Sequence, residues 1–137
     1  MKLTKNFTLE EMVKSDTADR LKIDNTPNEE QLENIKFVAE QLQILRNCYK
    51  KPIYITSGFR NEELNNAVGG SSTSFHLKGL AVDINQGTRT RNKNLFELIR
   101  SLMKVGLLVD QLINEHNYSW IHIGFKQDNP RLEILHL

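Results

Sequence analysis

The sequence predicts an α+β fold, with helices packed on a mostly antiparallel sheet. Three observations predict it. Thr8-Leu9-Glu10-Glu11 and Thr26-Pro27-Asn28-Glu29 both fit a capping box, so two helix starts are marked. Ile53-Tyr54-Ile55-Thr56 and Leu80-Ala81-Val82-Asp83-Ile84 are apolar runs too short for helices and rich in β-formers. The segments 107–115 and 120–125 are apolar and flank Asn117-Tyr118, which reads as a hairpin turn.

The elements follow in order. After the first start at Thr8, the second places Pro27 at the first helical position. Leu32, Ile35, Val38, Ala39, Leu42 and Leu45 then recur at three- and four-residue intervals, the stripe of a long amphipathic helix. Lys51-Pro52 ends it and the first strand follows. Residues 61–67 have room for a turn or two of helix before Gly69-Gly70-Ser71-Ser72-Thr73-Ser74, a small-residue run that reads as a surface loop. Gly69-Gly70 serves backbone geometry. The strand at 80–84 leads to a second amphipathic helix, marked by Leu95, Phe96, Leu98, Ile99, Leu102 and Met103 and ending near Gly106.

With 137 residues and 39% hydrophobic content, the chain is expected to form one domain, residues 1–137, with an adequate core. Eighteen basic against seventeen acidic residues leave a formal charge of +1, without the basic footprint of a nucleic-acid binder. Cys48 is the one cysteine, which excludes an internal disulfide and any all-thiolate metal site. On the long helix it is expected to be small, buried or half-buried, and not a nucleophile. No segment resembles a signal peptide or a membrane span. The expectation is a monomer made in the cytoplasm, needing another delivery route if its substrate lies outside the membrane.

Polar residues at the ends of these elements carry the chemistry. In Trp120-Ile121-His122-Ile123 the alternation turns His122 away from Ile121 and Ile123, and the same rule turns Asp83 away from Val82 and Ile84. Two strands can therefore aim an imidazole and a carboxylate at one concave face, with His76 supplied by the loop. Two histidines and a carboxylate are a ligand set suited to one catalytic zinc ion, with a fourth position left open. A carboxylate in an apolar strand is costly to bury unless paired or metal-bound. Peptide hydrolysis also needs a group to move a proton from water to the leaving amine, and Glu115, on the strand paired with that of His122, is the candidate. His116 is the alternative, and His136 is expected to bind nothing. Arg60 offers a cationic fork for a peptide carboxylate, against the plainer reading of a surface ion pair. Ser57 either contacts substrate or shapes the turn. Trp120 is expected to pack beside the site, with an N–H able to serve a ligand.

Ser57-Gly58-Phe59-Arg60, the segment Ser74-Phe75-His76-Leu77-Lys78-Gly79-Leu80-Ala81-Val82-Asp83 and Trp120-Ile121-His122 resemble the M15 metallopeptidases, especially the compact branch of phage lysins and bacterial wall enzymes. The resemblance runs from the Phe7-Thr8 helix start to the final hairpin. It implies the fold shared by D-alanyl-D-alanine peptidases and the hedgehog signalling domain, with His76, Asp83 and His122 as zinc ligands. It further implies Arg60, with Ser57 and Ser74, on the substrate side, and a peptidoglycan stem peptide as substrate. The reaction would be that of a D-Ala-D-Ala carboxypeptidase or an L-Ala-D-Glu-type endopeptidase. Two departures stand out: Phe75 occupies a position where glutamine is commoner, and Glu115 lies seven residues before the last histidine, a longer gap than in the best-known members. The competing reading is a catalytically silent zinc-containing module of a phage or mobile element that binds wall or protein. Glu115 counts against it, because a structural site has no use for a base.

Overall fold

The apolar stripe beginning at Leu32 forms the spine of the structure, a computed structural model describing residues 1–137. Helix α3 (Glu29–Tyr49) buries Ile35, Val38, Ala39, Leu42 and Leu45, with Leu32 half-buried at its start. It begins two residues later than the Thr26 signature predicts. Asn28 is the cap: its Oδ1 accepts from the Gln31 N–H at 2.8 Å, and Gln31 Oε1 accepts from the Asn28 N–H at 2.8 Å. Thr26 is unavailable because its hydroxyl donates to Asp24 Oδ1 at 2.6 Å, and Pro27 stands outside the helix. Cys48 is exposed, contrary to expectation, because Leu45 and Tyr49 continue the apolar stripe and position 48 is rotated off it.

Helix α1 (Leu9–Val13) starts at Thr8 with both halves of its capping box formed. A further short helix, α2 (Asp16–Leu21), is capped by Ser15 and was not signalled by periodicity. Helix α4 (Glu62–Ala67) follows the first strand, and α5 (Arg89–Met103) buries Leu95, Phe96, Ile99 and Met103.

The strands are β1 (Ile55–Ser57), β2 (Ala81–Ile84), β3 (Val109–Glu115), β4 (Trp120–Phe125) and β5 (Glu133–His136). Their order across the sheet is β1-β2-β4-β3-β5. All neighbours are antiparallel except β3 and β5, and β5 itself was not foreseen. Val82, Ile84, Leu112, Ile121, Ile123 and Phe125 join α3 and α5 in one core cluster. The fold is α+β, with helices on a mostly antiparallel sheet. No helix is long and apolar enough to cross a membrane.

Strand β3 carries a bulge between Val109 and Gln111. Bulges re-aim side chains near functional sites. Here the intervening Asp110 is buried and accepts from Arg131 three times: from its backbone N–H at 2.8 Å, Nε at 3.0 Å and Nη2 at 2.8 Å. Burial raises the Asp110 pKa, but the hydrogen bonds and charge of Arg131 outweigh it and hold the carboxyl below its ordinary value. A lowered native pKa stabilises the fold above the ordinary carboxylate range, near pH 4, and that contribution disappears as pH falls through the native value. Asp110→Asn is expected to cost about 1 kcal/mol at pH 7, below the ordinary range for charged hydrogen bonds because Arg131 is partly solvated and screened. In urea melts the difference from wild type should vanish in strong acid; a constant difference would show that charge is not involved.

Candidate metal centre and cleft

Asp83 and His122 pair directly across the two strands β2 and β4. Their neighbours Val82, Ile84, Ile121 and Ile123 are fully buried on the helix side, so the alternation turns both polar side chains to the opposite face. His122 Nδ1 lies 2.9 Å from Asp83 Oδ1, and His76 Nε2 lies 3.4 Å from Asp83 Oδ2. The two imidazoles meet edge-on with centroids 5.2 Å apart. One ligand-type atom from each of the three residues lies within 4.8 Å of the other two.

His76 reaches this face from a 3₁₀ turn (Phe75–Lys78) that is fastened at both ends. Ser74 caps it through His76 N–H to Ser74 Oγ at 3.1 Å. Gly79 closes it in the left-handed region, at φ +76°, where a Cβ would also stand 2.9 Å from Gln31 O and Ile35 Cγ1. Helix α3 grips the turn: Gln31 Nε2 donates to Leu77 O at 3.3 Å and Asn34 Nδ2 to Lys78 O at 2.9 Å.

The segment with Arg60 is equally constrained. Gly58 packs so closely on α1 that a Cβ there would meet Met12 O at 2.2 Å. Phe59 is buried, its N–H donates to Met12 O at 2.8 Å, and Asn25 Nδ2 donates to Phe59 O at 2.9 Å. The Arg60 N–H donates to His76 O at 3.1 Å, tying the two segments together.

The electrostatics fit a cation. Gly58 O lies 2.6 Å from His76 Nδ1, so this nitrogen carries the proton and donates. Nε2 is then the ring nitrogen left to face the carboxylate, 3.4 Å from Asp83 Oδ2, and a proton or a metal ion between the two would satisfy both. Burial raises the Asp83 pKa, yet the hydrogen bonds and charges of His122 and His76 overcome this and hold it well below the usual carboxylate range. The donor set of two imidazoles and one carboxylate suits zinc, and the backbone acceptor on His76 Nδ1 is the outer support that orients a metal-binding histidine. His76, Asp83 and His122 would hold the ion.

These residues line a cleft of about 700 Å³ together with Arg60, Ser74, Glu115 and Trp120. Glu115 lies two residues from Ile113, the partner of His122, and therefore shares the cleft face of the sheet. Arg60 is half-buried, and its Nε is buried without a hydrogen-bond partner. Burial lowers its pKa, with attraction to Asp83 opposing. None of its side-chain nitrogens makes a hydrogen bond within the protein, so the part of the guanidinium that borders the cleft is free to take a carboxylate. Ser57 pairs in register with Asp83 but is not among the cleft-lining residues. His116 is exposed at φ +48°, outside the cleft lining, with its ring 5.0 Å from that of Trp120. His136 lies on the helix side, against Asn114 and Phe96.

Residues 5–124 match the protein family described as Peptidase M15. The chain belongs to the M15 peptidases. Comparison with curated proteins finds no match. Within this M15 peptidase, sequence reasoning missed Val68, Thr73, Gln111 and Arg131 as walls of the cleft. Gln111 and Arg131 come together only through the bulge at Asp110 and the parallel pairing of β5, neither of which leaves a local pattern. Phe75, one of the two departures noted in the sequence, lines the cleft.

Proposed function

We propose that this M15 peptidase is a zinc-dependent hydrolase of peptide bonds in bacterial peptidoglycan stem peptides, acting through residues 1–137 as one catalytic domain. The observation that carries the reading is the convergence of His76, Asp83 and His122 in one cleft, with the His76 Nδ1 engaged by a backbone carbonyl and its Nε2 left to face the carboxylate. Bound there, zinc would polarise the scissile carbonyl and make hydroxide accessible near neutral pH.

The side chains supply the rest. Glu115 takes the proton from the attacking water and returns it to the leaving amine. Arg60 receives a substrate carboxylate on its unsatisfied fork and fixes the peptide's register, which is where orientation lowers the barrier. Ser74 holds the turn of His76 and borders the path of the substrate. The wall is the proposed place of action.

The test is to incubate zinc-loaded protein with peptidoglycan and with a stem pentapeptide and to identify products by mass spectrometry. Release of terminal D-alanine would assign a carboxypeptidase, and internal cleavage an endopeptidase. Wall binding without any product would overturn the enzymatic reading in favour of a silent wall-binding module.

A further inference from the structure

Arg131 lies beyond the stretch matched by the family, yet it lines the same cleft as Arg60. The topology places the two on opposite sides of the proposed metal centre. Arg60 follows edge strand β1, Arg131 precedes edge strand β5, and β2, β4 and β3 lie between them.

Arg131 is held like a binding group. The buried Asp110 engages its Nε and Nη2 and also its backbone N–H, which fixes the plane of the guanidinium. Its Nη1 makes no hydrogen bond, and the side chain is about half exposed. The nearest competitor is Glu133, 3.9 Å from Nη1, and that carboxylate is drawn to Gln111 Nε2 at 2.6 Å. A pre-oriented guanidinium with one free amino group, checked by a neighbouring acid, is suited to a carboxylate.

We infer that Arg131 forms a second carboxylate subsite, so that the cleft selects dianionic peptides, one carboxylate held by Arg60 and another by Arg131. This rests on the peptide-substrate reading above and specifies it. In a lysine-type stem peptide the two carboxylates would be the C-terminal one and the α-carboxylate of γ-linked D-glutamate. Stem peptides amidated at that glutamate would be disfavoured.

Two pentapeptides differing only in a carboxylate or carboxamide at that glutamate separate the possibilities. Trp120, the one tryptophan, lines the cleft, so the stopped-flow binding phase of its fluorescence gives affinity independently of turnover. The zinc-loaded wild type should favour the acid by about tenfold, the equivalent of one charge-assisted hydrogen bond. Arg131→Lys keeps a cation on Asp110 but removes the free Nη1, and should erase the preference. Glu133→Gln removes the competitor and should enlarge it. A purely structural Arg131 would not give these opposite signs. Equal binding of both peptides by wild type, or a preference unchanged in Arg131→Lys, would overturn the inference. A preference that behaves as described without cleavage of either peptide would uphold the subsite and sink the peptidase reading alone.

Discussion

Asp83→Asn is expected to release the metal and abolish hydrolysis in a protein that still folds. The carboxylate stands between two imidazoles, 2.9 Å from His122 and 3.4 Å from His76, and it is the one negative group of the proposed ligand set. Outer supports of a metal site cost about 10- to 100-fold in affinity when removed, so loss of the charged ligand should exceed about 100-fold. The fold should survive, because asparagine keeps the shape and a hydrogen-bonding oxygen, and Asp83 lies on the cleft face outside the hydrophobic core. Competition with a chromophoric chelator measures the affinity, circular dichroism the fold, and product formation the activity. Chelator-treated wild type should behave like the variant and recover with zinc, whereas the variant should not recover. Retained zinc and activity in Asp83→Asn would remove this residue from the centre.

Glu115→Gln should separate chemistry from metal binding. Glu115 faces the cleft but is not in the cluster of ligand atoms, so zinc content should equal that of wild type. General acid–base groups contribute about 10²- to 10⁴-fold, and the amide cannot accept the proton, so kcat should fall by that factor with KM little changed. His116→Ala is the matched comparison, since His116 is exposed and outside the cleft lining, and it should retain most activity. If His116→Ala lost as much as Glu115→Gln, proton transfer would belong to a pair and not to Glu115 alone.

The convergence of His122 and Asp83 was legible because strand alternation is strict: burying Ile121, Ile123, Val82 and Ile84 leaves no choice of face for the residues between them. The long helix was legible from its stripe, but its first residue was not, since Thr26 and Asn28 both fit a cap and the competing Asp24 hydrogen bond decides. Helix α2 offers Ala18 as its one buried residue, and β5 pairs in parallel without a turn beside it, so neither carries a local signal. Gly58 was visible as part of a motif, yet its reason, the approach of α1, appears only when segments 46 residues apart meet. Arg131 is of the same kind: a partner of Asp110 across 21 residues, invisible to any periodicity.

The register of β2 against β4 places Asp83 beside His122 and, in the same stroke, Val82 beside Ile123 in the core. A slip of one residue would exchange the two faces, leaving a carboxylate in the core and a valine at the metal centre. Chains slipped by one residue would therefore lose the carboxylate from the proposed metal centre outright. If the centre takes zinc as proposed, zinc uptake would distinguish correctly paired molecules from those slipped by one residue in a refolded sample. The ion, by binding that pairing alone, would draw the population toward it by mass action.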